Sequence, residues 1–72
     1  MAEARRRRDL IDALVALRRT SHMTQADLAQ RMATSQAAVA RLEAGEIDPR
    51  LSTLQRYAAS MGKRVIWQIG DA

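Results

Sequence analysis

Eleven arginines and one lysine face eight carboxylates in this 72-residue chain, giving a net charge of +4. A guanidinium is a planar fork of donors that matches phosphate or carboxylate oxygens, so a surplus carried by arginine points to a polyanionic partner. Four of the arginines form the run Arg5 to Arg8, and the rest of the chain is neutral. Two carboxylate pairs, Asp9 with Asp12 and Glu43 with Glu46, have a spacing that acid–base catalysis can use. Helix ends explain them better. The single histidine, His22, cannot build a metal cluster alone, and the absence of cysteine excludes disulfides, thiolate metal sites and cysteine nucleophiles. No metal, cofactor or small-molecule substrate is expected, and the lack of cysteine fits a reducing cytoplasm. Phe is absent and only Tyr57 and Trp67 are aromatic, so a stacking platform for single strands is poorly supplied. Duplex binding through helices stays open.

The elements that must position these groups are few. The length allows one small domain, and although 47% of residues are apolar, fourteen of those are alanine. About twenty larger apolar side chains make a thin core, which a partner subunit would help. The start MAEARRRR followed by LIDALVAL has the outline of a secretory signal, but Asp12 interrupts it and Arg18 and Arg19 close it without a cleavage site, which predicts a mature N-terminus. No run reaches the roughly 18 apolar residues of a membrane span, so a soluble protein without a membrane partner is expected.

Leu10, Ile11, Leu14, Val15 and Leu17 recur at offsets of three and four, the stripe of an amphipathic first helix ending in Arg18 and Arg19. Thr24 caps a second helix, with Asp27 three residues on and Met23 facing Leu28 as a staple. Ser35 caps a third, carrying Val39 and Leu42 inward, and Gly45 ends it. After a loop from Glu46 to Leu51, Ser52 and Gln55 predict a capping box for a fourth helix with Leu54, Tyr57, Ala58 and Met61, stopped by Gly62. The remainder, KRVIWQI, alternates like one β-strand with no second strand in the chain to pair with.

The second and third helices, joined by a three-residue turn and packing Leu28, Ala29, Met32, Val39 and Leu42, form a helix-turn-helix layout. On the segments TQADLA, SQAAVARLEAG and the later P-R-L-S-T-L run, the chain resembles the lambda-repressor-like (Cro/repressor, XRE-type) helix-turn-helix family over about Leu10 to Gly62. That resemblance implies a mainly α, compact four-helix domain whose third helix enters the major groove of double-stranded DNA. Gln36 and Ala37 then sit at the helix tip, for adenine and a thymine methyl, with Ala40 and Arg41 one turn on, Arg41 taking guanine or phosphate. Gln25 meets phosphate, Ser35 divides itself between capping and phosphate, and Thr34 completes the DNA-binding set. Direct readout from so alanine-rich a helix is sparse, leaving a share to DNA shape. Arg18 and Glu43 match a structural ion pair, although Arg18 can also reach phosphate. Arg5, Arg6, Arg7 and Arg8 form either an arm along phosphates, adding about 3 to 4 units to the salt slope, or merely a helix start. Arg50 is the cation left in the loop after Glu46 and Asp48. His22 and Ala33 stand where relatives often have glycine, His22 turning the chain left-handed and Ala33 straining its turn.

The tail departs from the family's usual fifth helix and resembles short HipB-type antitoxins, in which the C-terminal strands of two subunits pair. The domain plan is therefore residues 1–8 as basic arm or helix start, 9–62 as the DNA-binding domain and 63–72 as a dimerising strand and tail, with Val65, Ile66, Trp67 and Ile69 at the interface. Trp67 folding back onto its own helices is the competing arrangement. The leading expectation is a cytoplasmic, homodimeric repressor of a palindromic operator, plausible as the antitoxin of a cognate toxin protein. A protein-binding adaptor on the same scaffold, with little DNA readout, is the alternative. Enzymatic and membrane-binding roles have little in the residues to support them, since the apolar stripe of the first helix is needed for the core.

Overall fold

The computed structural model describes residues 2–66, with side chains from Arg7 onward. Four helices follow one another: α1 (Ala2–Thr20), α2 (Gln25–Met32), α3 (Gln36–Ala44) and α4 (Leu51–Ala59). Each turns a stripe at offsets of three and four to a common core: Ile11 and Leu14 from α1; Leu28, Ala29 and Met32 from α2; Val39 and Leu42 from α3; Leu54, Tyr57 and Ala58 from α4. Leu10, Val15, Met23, Met61 and Val65 cover its edges. α3 packs on both α2 and α1, and α4 packs on α2. Ala29 is buried where α2 crosses α3, and its small side chain permits their close approach. This is the mainly α, four-helix architecture that the sequence predicts.

Starts and stops follow the local chemistry. Thr24 accepts from the Asp27 amide at 3.0 Å while the Asp27 carboxylate accepts from the Thr24 amide at 3.0 Å, a complete capping box. Ser35 caps α3 by accepting from the Ala38 amide at 3.1 Å. All four helices then stop in the same way, with an amide reaching back five residues: Met23 to Arg18, Thr34 to Ala29, Glu46 to Arg41 and Lys63 to Ala58. Each such stop needs a left-handed residue, supplied by His22 (φ 57°), Ala33 (φ 57°), Gly45 (φ 75°) and Gly62 (φ 70°).

One expectation requires correction. α4 has no Ser52–Gln55 capping box: its N-cap is Arg50, with no side-chain hydrogen bond, and Ser52 lies inside the first turn. The reason is that Gln55 is engaged elsewhere, its carboxamide being held by the backbone of Val65. The strand expected from Lys63 to Ile69 was to pair with another molecule: its residues 63–66 carry no helix or strand in this single chain, and the rest, Trp67 and Ile69 included, lies outside the described residues. The backbone of residues 5–8 is helical, forming the early turns of α1. No helix among the described residues is long and apolar enough to cross a membrane.

Candidate nucleic-acid interface

The tip of α3 is the exposed end of a helix whose other face is locked in the core. Gln36 and Ala37 are its first two residues, and Ala37 and Arg41 share an edge one turn apart; all three are exposed, Ala40 beside them is half-buried, and Thr34 is exposed in the turn. The Ser35 hydroxyl accepts from Ala38 in capping the helix, which leaves its own O–H free to donate to a phosphate oxygen. The amides at the helix start add a partial positive charge at the same spot.

Two turns on from Gln36, α3 carries Glu43, a buried carboxylate bound from all three other helices. Arg18 of α1 grips it bidentately, Nε to Oε2 at 2.7 Å and Nη2 to Oε1 at 2.9 Å. Gln25 of α2 donates from Nε2 to Oε1 at 3.0 Å, and the Tyr57 hydroxyl of α4 donates to Oε2 at 2.6 Å. Burial pushes this carboxyl up, but the hydrogen bonds from Arg18, Gln25 and Tyr57 outweigh it and hold Glu43 below its ordinary value. Burial, reinforced by the neighbouring carboxylate, drives the Tyr57 phenol well above its ordinary value. Arg18 is held above its ordinary value, chiefly by its hydrogen bond to Glu43. Its Nη1 also donates to the Met23 carbonyl at 2.9 Å, so its donors point into the protein.

Two arginines of the basic run brace the far end of α3. Arg8 binds Asp12 through Nε at 2.9 Å and Nη2 at 2.6 Å, and the same Nη2 donates to the Glu43 carbonyl at 2.8 Å. A cation on the last carbonyls of a helix complements the negative end of its dipole. Arg7 pairs with Asp48 in the loop after α3. Arg50, at the start of α4, is exposed.

A helix-turn-helix family profile matches residues 14–68, more than half of the chain. The chain belongs to the XRE-type helix-turn-helix family. The chain is 42% identical over 65 residues to the protein named antitoxin HigA1 in two strains of Mycobacterium tuberculosis, a match covering 90% of this chain and 44% of that protein. HigA3 of the same organism is 36% identical, with 90% of this chain and 68% of HigA3 covered. The chain thus spans less than half the length of HigA1. No solved structure matches. Membership makes residues 14–68 a helix-turn-helix domain.

Within this helix-turn-helix frame, the structure exposes Thr34, Ser35, Gln36 and Ala37 at the start of α3 and Arg41 in its last turn, and keeps Arg18 and Glu43 together inside. Gln25 lies between the two groups: one of its amide hydrogens serves Glu43, and the second remains for an outside acceptor. Sequence reasoning placed Tyr57 in the core only as an apolar residue, because nothing in its helical spacing reveals that its hydroxyl reaches Glu43. It also passed over Arg19, which lines an open cleft of about 520 Å³ with Gln25 and Ala40. A cation beside the expected phosphate-binding glutamine was the available signal.

Proposed function

We propose that the chain is a repressor and antitoxin that binds a palindromic operator as a two-fold homodimer, with α3 in the major groove. The capped, exposed tip of α3, set on a helix whose inner face is fixed by Glu43, carries this reading. Gln36 takes adenine bidentately, Ala37 packs on a thymine methyl, and Arg41 takes guanine or a phosphate. Thr34, Ser35 and Gln25 approach phosphates on either side, joined by Arg19, and Ala40 keeps the helix close to the groove wall. Arg50 and the run Arg5 to Arg8 add attraction independent of sequence, with Arg7 and Arg8 dividing themselves between DNA and the end of α3. Arg18, turned inward, takes no part in contact.

The name of HigA1 supports a cognate toxin protein as a second partner, and the tail residues Val65, Ile66, Trp67 and Ile69 supply the dimer contact. Selection of bound duplexes from a random pool tests the DNA reading. The expected product is a two-fold palindrome with half-site centres roughly 34 Å apart. A pool that enriches no sequence would leave the scaffold as a protein-binding adaptor, a role that the alanines of α3 also suit.

A further inference from the structure

Glu43 receives four hydrogen bonds, and three of them come from side chains as buried as itself: two from Arg18 and one from Tyr57. The fourth comes from Gln25, which is half-buried at the start of α2. The fold does not depend on that bond, because Arg18 and Tyr57 already give each carboxylate oxygen a partner. Gln25, Glu43, Ala40 and Arg19 line one cleft, and the small side chain of Ala40 leaves Gln25 room to reach the carboxylate. A carboxamide has two ends of opposite character, an NH2 donor and a carbonyl acceptor. Only the NH2 end is attracted to an ionised carboxylate, so the Gln25 amide is held in one of its two orientations. Its second N–H has no partner among the described residues. A glutamine without this anchor would rotate, and its other orientation would turn the carbonyl oxygen to a phosphate, acceptor against anion.

We infer that Glu43 is a positioning residue for the DNA backbone: its carboxylate holds the Gln25 carboxamide so that an N–H, and never the carbonyl oxygen, meets the phosphate. The inference rests on the DNA-binding reading and adds the residue that makes one of its contacts directional. The same carboxylate locks α3 through Arg18 and Tyr57, so a single buried charge fixes both the helix that reads bases and the side chain that grips the backbone beside it. Setting the amide beforehand removes the rotamer cost of ordering it on binding. The effect is the same for every sequence, since phosphates carry no sequence information.

The test is a double-mutant cycle read as the duplex affinity of the full chain at fixed salt. Arg18→Met, Glu43→Leu and Tyr57→Phe together empty the network of charge, since apolar side chains of similar size replace a buried ion pair with little loss of stability. Gln25→Ala is then made in the parent and in this apolar variant. In the parent it should lower affinity for the operator and for a scrambled duplex alike, by about tenfold. In the apolar variant, where nothing orients the amide, the same change should cost about threefold or less. Equal losses in the two backgrounds, or no loss in the parent, would overturn the inference. A parent chain without affinity for any duplex would instead remove the DNA reading itself. The side-chain amide protons of Gln25 give a second readout that needs no core substitution. One of them should lie downfield and exchange slowly in the parent chain free of DNA, and added duplex should shift the other while leaving the first in place. Loss of the downfield signal on binding would show Gln25 leaving Glu43 for the phosphate, and would equally overturn the inference.

Discussion

Glu43 is the residue on which the greatest number of physical arguments meet. Its carboxylate ties α1, α2 and α4 to α3, and its side chain is 7% exposed against 9% for Arg18. Because its folded pKa lies below the ordinary 4.5, the ionised form stabilises the fold fully above that value, and the contribution is lost as pH falls through the lower folded value. Asp27, held down by the amide and hydroxyl of Thr24, acts in the same direction. Tyr57 has the opposite sign: its raised pKa means that stability is kept below pH 10 and lost as the phenol is forced to ionise in alkali. Denaturant midpoints measured across pH should therefore show a plateau with an acid limb below about pH 4.5 and an alkaline limb above about pH 10. Tyr57→Phe should lower unfolding stability by about 1.5 kcal/mol, since it removes one hydrogen bond to a charged acceptor. It should also move the acid limb to higher pH, because Glu43 loses a donor. An unmoved acid limb in that variant would detach Tyr57 from the carboxylate.

At the scale of elements, the helices were legible in the sequence because caps and apolar spacing act over a few residues. Thr24 with Asp27, Ser35 and Gly45 sit where those local signals predict, and His22 does take the left-handed turn expected of it. The start of α4 was not legible, since the pull on Gln55 comes from Val65, ten residues away. The Arg8 contact with the end of α3 spans 35 residues and leaves no local trace. Two consequences follow from the shared helix stops. His22→Gly and Ala33→Gly should each stabilise by about 0.5 to 1 kcal/mol, because the left-handed conformation strains a side chain and not glycine. Equal or lower thermal midpoints would show that the turns carry no strain. Gly45→Ala should destabilise by about 1 kcal/mol or more from its φ of 75° alone. The added Cβ would also lie 2.6 Å from Arg8 Nη1 and push that guanidinium off the Glu43 carbonyl, so α3 should fray from its C-terminal end in amide exchange.

For the molecule as a whole, the excess of +4 divides between two tasks: fastening, by Arg7 and Arg8 at the end of α3, and attraction to phosphates. If all four arginines of the run met phosphate, binding would lose about 3 to 4 units of salt slope per subunit when they were replaced, and fastening by two of them predicts a smaller change. A core of ten buried apolar residues among those described is thin for an independent domain. Pairing of two copies should therefore make the thermal midpoint rise with protein concentration. The central claim is that α3 reads duplex DNA with Gln36 and Arg41. Its most direct test is the affinity of the full chain carrying Gln36→Ala and Arg41→Ala for the selected operator and for a scrambled duplex, at fixed salt. Preference for the operator should fall by about 10- to 1,000-fold, with scrambled-duplex binding little changed and helix content intact. An operator preference equal to that of the parent chain would contradict the account.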